Sequence, residues 1–125
     1  MNTSEIRAEL ERRLEPSQRV SENVRIGTSD AHRYLEHVPQ IKCADGFKLS
    51  VQASNMHYCN PRNSIGPWSL VEVGFPSRKV TSFLPYIDGG KHTAPTKTVY
   101  GFVPIDLVVQ AIADHGGFAA AQVSA

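Results

Sequence analysis

The sequence predicts an α+β domain, in which a small, mostly antiparallel β-sheet core carries an N-terminal and a C-terminal helix. Three patterns support this prediction. Apolar residues recur every four positions near the start, alternate with polar residues between about 40 and 103, and return to helical spacing after Pro104. Because the chain has 125 residues, we expect one domain, with a helical segment over 1–38, a β core over 40–103 and a helix over 104–117.

The first helix is expected over about the first fifteen residues. Thr3 and Ser4 can cap its start, and Pro16 ends it. Its apolar stripe consists of Ile6, Leu10 and Leu14. This stripe is narrow, so we expect it to pack on another subunit or at the edge of the domain.

The next part of the chain is less clearly patterned. Residues 17–28 leave helix and loop both open. A second helix is expected to begin at Ser29 or Asp30 and to end before Pro39. Its apolar side consists of Tyr34, Leu35 and Val38.

Period-two alternation predicts the strands of the β core. Asp45-Gly46 separates two alternating runs and predicts a hairpin whose second arm reaches Ala53. Further strands are expected over 70–75, 80–87 (bent at Pro85) and 99–103, with a mobile loop over 88–97. Pro104 then fits the first position of the last helix, and Gly116-Gly117 fits its end.

The composition excludes several classes of protein. Thirteen Lys and Arg against twelve Asp and Glu give a net charge of +1, so we expect no duplex nucleic acid as partner. Only Cys43 and Cys59 are present, which predicts free thiols in a cytoplasmic setting and no disulfide scaffold. No apolar run is long enough for a membrane span, and the polar residues after Met1 do not resemble a secretion signal.

The sequence offers little for catalysis, metal binding or a cofactor. Cys43, His57, Cys59 and His92 are too loosely spaced for structural zinc, so no metal is predicted. Ser54 or Cys59 beside His57 provides a nucleophile and a base, but no motif supplies the rest of a catalytic set. Glu72, on a predicted strand, is expected on an exposed face. We therefore predict no catalytic residues.

Two further features favour ligand binding. Gly89-Gly90 begins a loop that superficially resembles a phosphate-binding turn, but the loop lacks the strand and helix of a Walker motif. Rings and cations cluster along 55–86, and rings that stack on a base together with cations that pair with phosphate are typical of nucleotide recognition. The predicted ligand-binding residues are Tyr58, Phe83 and Tyr86 for stacking, Arg62, Arg78 and Lys79 for phosphates, and Asn55, Met56 and His57 for lining the pocket.

Several short motifs resemble a family of small phage and prophage proteins, the Thoeris anti-defence sponges. The motifs read IKCADGFKLSVQAS, HYCNPR, VEVGFPS, LPY and TVYGFVPIDLVVQAIADHGG, and the resemblance covers roughly residues 40–117. It implies a small β core with helices at both ends and no enzymatic equipment. It also implies dimer-based homo-oligomers that bind cyclic ADP-ribose isomers, and in some members cyclic oligonucleotides, between subunits.

The leading hypothesis is therefore a non-catalytic anti-defence protein of the host-cell cytoplasm. It would sequester a cyclic nucleotide immune signal, of the kind made in Thoeris or CBASS defence, at subunit interfaces. Two alternatives stay open. One is a protein-binding inhibitor of a host defence factor, and the other is a small nucleotide-processing enzyme.

Overall fold

A computed structural model describes residues 1–25, 32–90 and 92–120, with the backbone alone for 22–25 and 32–35. The α-helices are α1 (Thr3–Arg13) and α2 (Ile105–Asp114), and short 3₁₀-helices cover Pro16–Gln18 and Thr81–Tyr86. The strands are β1 (Val20–Arg25), β2 (His32–His37), β3 (Ile41–Lys42), β4 (Lys48–Gln52), β5 (Leu70–Gly74) and β6 (Val99–Pro104).

The strands form two antiparallel sheets. β3, β4, β5 and β6 lie side by side in chain order, whereas β1 and β2 form a separate two-stranded sheet. The predicted α+β class is confirmed. Within the described ranges, no helix is both long enough and apolar enough to cross a membrane.

Helix α1 begins at a capping box one residue earlier than expected. The Asn2 side chain accepts from the Glu5 amide, and the Glu5 side chain accepts from the Asn2 amide. Thr3 and Ser4 are therefore helical residues, and the prediction that they cap the helix was wrong.

The apolar stripe of α1 lies inside the chain's own core. Ile6, Leu10 and Leu14 are all fully buried, and α1 packs against α2. The expectation that this stripe packs on another subunit or at the domain edge was wrong, because the stripe belongs to the core cluster of the chain and α1 packs on α2. The stripe therefore gives no support for an oligomer.

The predicted second helix was also wrong over its described part. Residues 32–37 form β2, which pairs with β1 from Val20↔His37 to Arg25↔His32. The suggested start at Ser29 or Asp30 lies outside the described residues. Pairing satisfies the backbone polar groups of each segment that face the other strand.

The predicted hairpin around Asp45-Gly46 is confirmed. β3 pairs with β4 through Ile41↔Leu49, and the Cys43 amide donates to the Phe47 carbonyl at 2.8 Å. The Asp45 side chain accepts from the Phe47 amide at 2.9 Å, which fixes the turn.

The predicted strand over 80–87 is instead largely a 3₁₀-helix, Thr81–Tyr86. Pro85 has no amide hydrogen, so it cannot contribute a donor to a sheet ladder. The short helix brings Phe83 into the core, and Ile87 forms a single bridge with Tyr100 of β6.

Helix α2 begins at Ile105, so the prediction that Pro104 takes the first helical position was wrong, and Pro104 is the residue before the helix. The helix ends in a Schellman motif, as the glycine pair predicted. The Gly117 amide donates to the Ile112 carbonyl at 2.9 Å, and the Gly116 amide donates to the Ala113 carbonyl at 3.0 Å. Both glycines have left-handed backbones, with φ of 84° and 88° respectively.

Candidate functional site

The site begins at an irregularity between β5 and β6. Val71 pairs with Val103 and Val73 pairs with Tyr100, so Gly101 and Phe102 together lie opposite Glu72. This β-bulge breaks the alternation of β6 and turns the Phe102 ring outward, where 45% of the residue surface is exposed. Phe102 has a φ of 55°, a strained value for a bulky residue. Strained backbone of this kind is concentrated at functional sites.

The loop that carries Tyr58 is attached to this bulge. The Phe102 amide donates to the Tyr58 carbonyl at 3.0 Å. A Cβ atom on Gly101 would lie 3.2 Å from the Tyr58 Cβ atom, so glycine permits this close approach. The Tyr58 and Phe102 rings lie 5.9 Å apart between centroids, tilted by 41°. Two half-exposed rings are thereby held side by side.

These rings line a cleft of about 450 Å³, which we name the aromatic cleft. It is lined by Tyr58, residues 85–88, Gly101 and Phe102. Tyr86 adds a third ring from the 3₁₀-helix. The volume lies within the usual range of small-molecule sites.

One cation and two carboxylates lie near the Tyr58 side of the aromatic cleft. The Arg62 guanidinium carbon lies 5.6 Å from the Tyr58 ring centroid. Glu72 accepts from the Tyr58 amide at 3.3 Å, and Asp88 lines the cleft. Burial raises the pKa of Glu72, although the hydrogen bond from Tyr58 and the charge of Arg62 oppose this. Glu72 is half-buried, so its expected place on an exposed face was wrong.

His57, which precedes Tyr58 in the chain, lines a second cleft of about 300 Å³. We name it the polar cleft after the polar side chains among its lining residues. Its polar lining includes His37, Ser50, Gln52, His57 and Glu72. Gln52 is buried and its side chain joins β4 to the end of β2, because its oxygen accepts from the Val38 amide at 2.9 Å and its nitrogen donates to the Val38 carbonyl at 2.8 Å.

Ser54, His57 and Cys59 form a buried hydrogen-bonded cluster. The Ser54 hydroxyl lies 2.6 Å from His57 Nδ1, and the Cys59 thiol donates to the Ser54 carbonyl at 3.1 Å. Ser54 and Cys59 line neither cleft, and burial raises the pKa of the Cys59 thiol. This geometry stabilises the loop, and it presents neither a thiolate nor an exposed hydroxyl as a nucleophile.

His57 makes the stability of the fold sensitive to mild acid. Burial, with smaller contributions from Arg19 and His37, lowers the pKa of His57 to about 4 from 6.5. The unfolded chain therefore binds the proton first, so this contribution to stability is complete above about pH 6.5. We expect it to fall as the pH decreases from there towards 4.

Urea unfolding at several pH values between 7 and 4 measures this effect. His57→Asn is the matched control, because its amide oxygen keeps an acceptor near the Ser54 hydroxyl and does not titrate. We expect the stability of the wild type to fall more steeply than that of the variant over this interval. Parallel curves would contradict a buried neutral His57.

The structure brings only part of the predicted ligand set together. Tyr58 and Tyr86 share the aromatic cleft, Arg62 lies beside it, and His57 lines the polar cleft. Asn55 and Met56 are exposed in the same loop but line neither cleft.

Three other predicted residues lie away from the aromatic cleft. Phe83 is fully buried and packs on Tyr100 with centroids 5.9 Å apart, so its predicted role as a stacking face was wrong. Arg78 lies 3.5 Å from the Asp45 carboxylate, at the β3–β4 turn. Lys79 is exposed and lines neither cleft.

Sequence analysis missed Phe102 and Asp88. Gly101 inside a strand pattern was a signal for the bulge that exposes Phe102. Asp88 had no such signal, because its position depends on how the chain leaves the 3₁₀-helix.

The residues considered for zinc do not converge. In the parts of the chain that the structure describes, no group of three or more His, Cys, Asp or Glu side chains is arranged to hold a metal ion. Cys43 and Cys59 are buried free thiols, and burial raises the pKa of Cys43 to about 11. Gly89 and Gly90 are exposed, and Lys91 of the same loop lies outside the described residues.

Comparison of the chain with protein-family models, with curated proteins and with solved structures gives no match. The resemblance to the Thoeris anti-defence sponges therefore stays a prediction.

Proposed function

We propose that this protein is a non-catalytic binding protein that captures a nucleotide ligand in the aromatic cleft. Cyclic nucleotide immune signals, as bound by the family that the sequence resembles, are the ligands to test first. Capture of such a signal would make the protein an anti-defence sponge.

The observation that carries this proposal is the arrangement of Tyr58, Phe102 and Arg62. Two half-exposed rings lie side by side, and a guanidinium lies 5.6 Å from the centroid of one of them. In the described part of the chain, no carboxylate lies within ion-pair distance of Arg62. A base can stack on the rings while the guanidinium pairs with a phosphate.

A sponge also needs tight binding, but the aromatic cleft of a single chain is open to solvent. Nanomolar affinity corresponds to about −12 kcal/mol, which demands nearly complete enclosure of a small ligand. Because Arg78 and Lys79 line no part of this cleft, Arg62 is the only predicted cation beside it. We therefore propose that a second copy closes the cleft and adds further cations.

Calorimetry with cyclic ADP-ribose isomers and cyclic oligonucleotides tests the proposal. We expect at least one ligand to bind, and we expect Tyr58→Ala to weaken that binding by about 1–3 kcal/mol, which is the usual contribution of one stacked base. Met56→Ala is the matched control, because Met56 is 60% exposed in the same loop but lies outside the cleft. Absence of heat with the whole panel would overturn the proposal.

Two further measurements complete this test. Chromatography of the ligand after the protein is denatured should return it unchanged, whereas a product peak would indicate the nucleotide-processing alternative. Light scattering with and without ligand should show more than one copy per ligand-bound particle.

The exposed rings of the aromatic cleft also favour protein binding as the second candidate function. Tyr58 and Phe102 are 44% and 45% exposed, and their ring centroids lie 5.9 Å apart. Aromatic residues of this kind are enriched at protein interfaces. Under this alternative no nucleotide would bind, and a host defence factor would be the partner.

A further inference from the structure

Asp88 is the acidic residue among those that line the aromatic cleft, and it is exposed. The backbone groups of Asp88 already have partners at the start of β6. The Asp88 amide donates to the Val99 carbonyl at 2.9 Å, and the Asp88 carbonyl accepts from the Thr98 hydroxyl at 2.7 Å. The polar group that Asp88 can offer to a ligand is therefore its side-chain carboxylate.

This carboxylate has no cationic partner within the described residues, where none of the salt bridges involves Asp88. Its charge lies close enough to Glu72 to contribute to the raised pKa of that residue. Glu72 in turn accepts from the Tyr58 amide, so the charge of Asp88 acts on the Tyr58 side of the cleft.

An ionised carboxylate only accepts hydrogen bonds, so it selects a ligand edge that carries donors. A base stacked in this cleft would present its edge to the surrounding polar groups. Guanine offers two adjacent donors on its Watson–Crick edge, the ring N1–H and the exocyclic N2 amine. Adenine offers one donor, and its N1 acceptor would face the carboxylate unfavourably.

We infer that the aromatic cleft selects a guanine base, with Asp88 accepting from its N1–H and N2 amine while Tyr58, Tyr86 and Phe102 provide stacking faces. This inference rests on the proposed capture of a nucleotide, and it adds the class of base. Arg62, beside Tyr58, pairs with the phosphate that follows the base.

The test uses three cyclic dinucleotides with the same backbone: cyclic di-GMP, its inosine analogue, which lacks the N2 amine, and cyclic di-AMP. Calorimetry with the wild-type chain should show cyclic di-GMP binding about tenfold or more tightly than cyclic di-AMP, because a bidentate contact discriminates bases by 1–3 kcal/mol. The inosine analogue should fall between them.

Asp88→Asn is expected to change the preference of the cleft between guanine and adenine. The amide can accept from the adenine amine and donate to adenine N1, so the variant should bind cyclic di-AMP as tightly as cyclic di-GMP, or more tightly. Asp114→Asn is the control for a lost surface carboxylate, since Asp114 is exposed and does not line the cleft. This control should keep the wild-type preference.

The outcomes separate the inference from the proposed function. Equal binding of the three dinucleotides, or an unchanged preference in Asp88→Asn, would overturn the choice of guanine and leave nucleotide capture standing. Binding of cyclic ADP-ribose isomers with no binding of any dinucleotide would also overturn the choice of guanine and leave nucleotide capture standing. No binding of any nucleotide would overturn both.

Discussion

Replacing Phe83 with alanine is expected to destabilise the fold by about 3–5 kcal/mol, the usual cost of removing a buried aromatic side chain. Phe83 is fully buried, and its ring packs on Tyr100, which is itself fully buried. The 3₁₀-helix that carries Phe83 also carries Tyr86 of the aromatic cleft. Loss of Phe83 therefore removes core packing beneath one wall of that cleft.

Urea unfolding followed by circular dichroism measures this change. Met56→Ala is the control for loss of a large exposed side chain, because Met56 is 60% exposed and such a substitution usually changes stability by only about 0.5 kcal/mol. Phe83→Leu should recover much of the loss, since it keeps most of the apolar volume.

A different result would restore the original prediction for Phe83. If Phe83→Ala unfolds at the wild-type urea concentration but loses nucleotide binding, the ring is a ligand contact and the packing described for it is incorrect.

Local signals in the sequence predicted the parts of the fold that depend on near neighbours. Asp45-Gly46 indicated the hairpin, and Gly116-Gly117 indicated the end of α2. Both signals depend on backbone geometry within a few residues. For the same reason, the helical stripe of Ile6, Leu10 and Leu14 was correctly located in the sequence.

Parts that depend on distant partners were predicted less well. The spacing of Tyr34, Leu35 and Val38 fits one face of a helix, but pairing with β1 makes residues 32–37 a strand. The stripe of α1 was assigned to another subunit because the sequence does not show that α2 covers it. Tertiary partners decided both outcomes.

The candidate site shows the same division. Tyr58, Tyr86 and Arg62 were predicted from residue type, and they do meet at or beside one cleft. Residue type alone could not show that Phe83 is fully buried while Tyr86 is only partly buried and reaches the cleft, because this depends on how the 3₁₀-helix packs on β6. Phe102 was missed because the bulge reverses the face that alternation assigns to it.

Phe102→Gly is expected to remove most ligand binding without destabilising the fold. A bulky residue with a φ of 55° carries about 1–2 kcal/mol of strain, which glycine does not have. Loss of the contact with Tyr58, together with the greater freedom of glycine in the unfolded chain, offsets part of this gain. We therefore expect stability to remain within about 1 kcal/mol of wild type, or to rise.

Binding should change much more than stability. The ring of Phe102 forms one wall of the aromatic cleft, and a stacked base contributes about 1–3 kcal/mol, so the dissociation constant should rise by roughly 5-fold to 150-fold. Phe102→Tyr keeps the stacking face and should bind nearly as well as the wild type. Calorimetry with a ligand established for the wild-type chain measures all three proteins.

Phe102→Ala distinguishes the effect of losing the ring from the effect of relieving the backbone strain. Alanine removes the ring but keeps the cost of a left-handed backbone, so it should be less stable than Phe102→Gly by about 1 kcal/mol while losing the same affinity. A glycine variant less stable than the alanine variant would contradict the strained geometry at the bulge. Full affinity in both variants would show instead that the strain serves the fold alone and that the ligand binds elsewhere. The two variants therefore measure the backbone strain at the bulge and the contribution of the ring to binding as separate quantities.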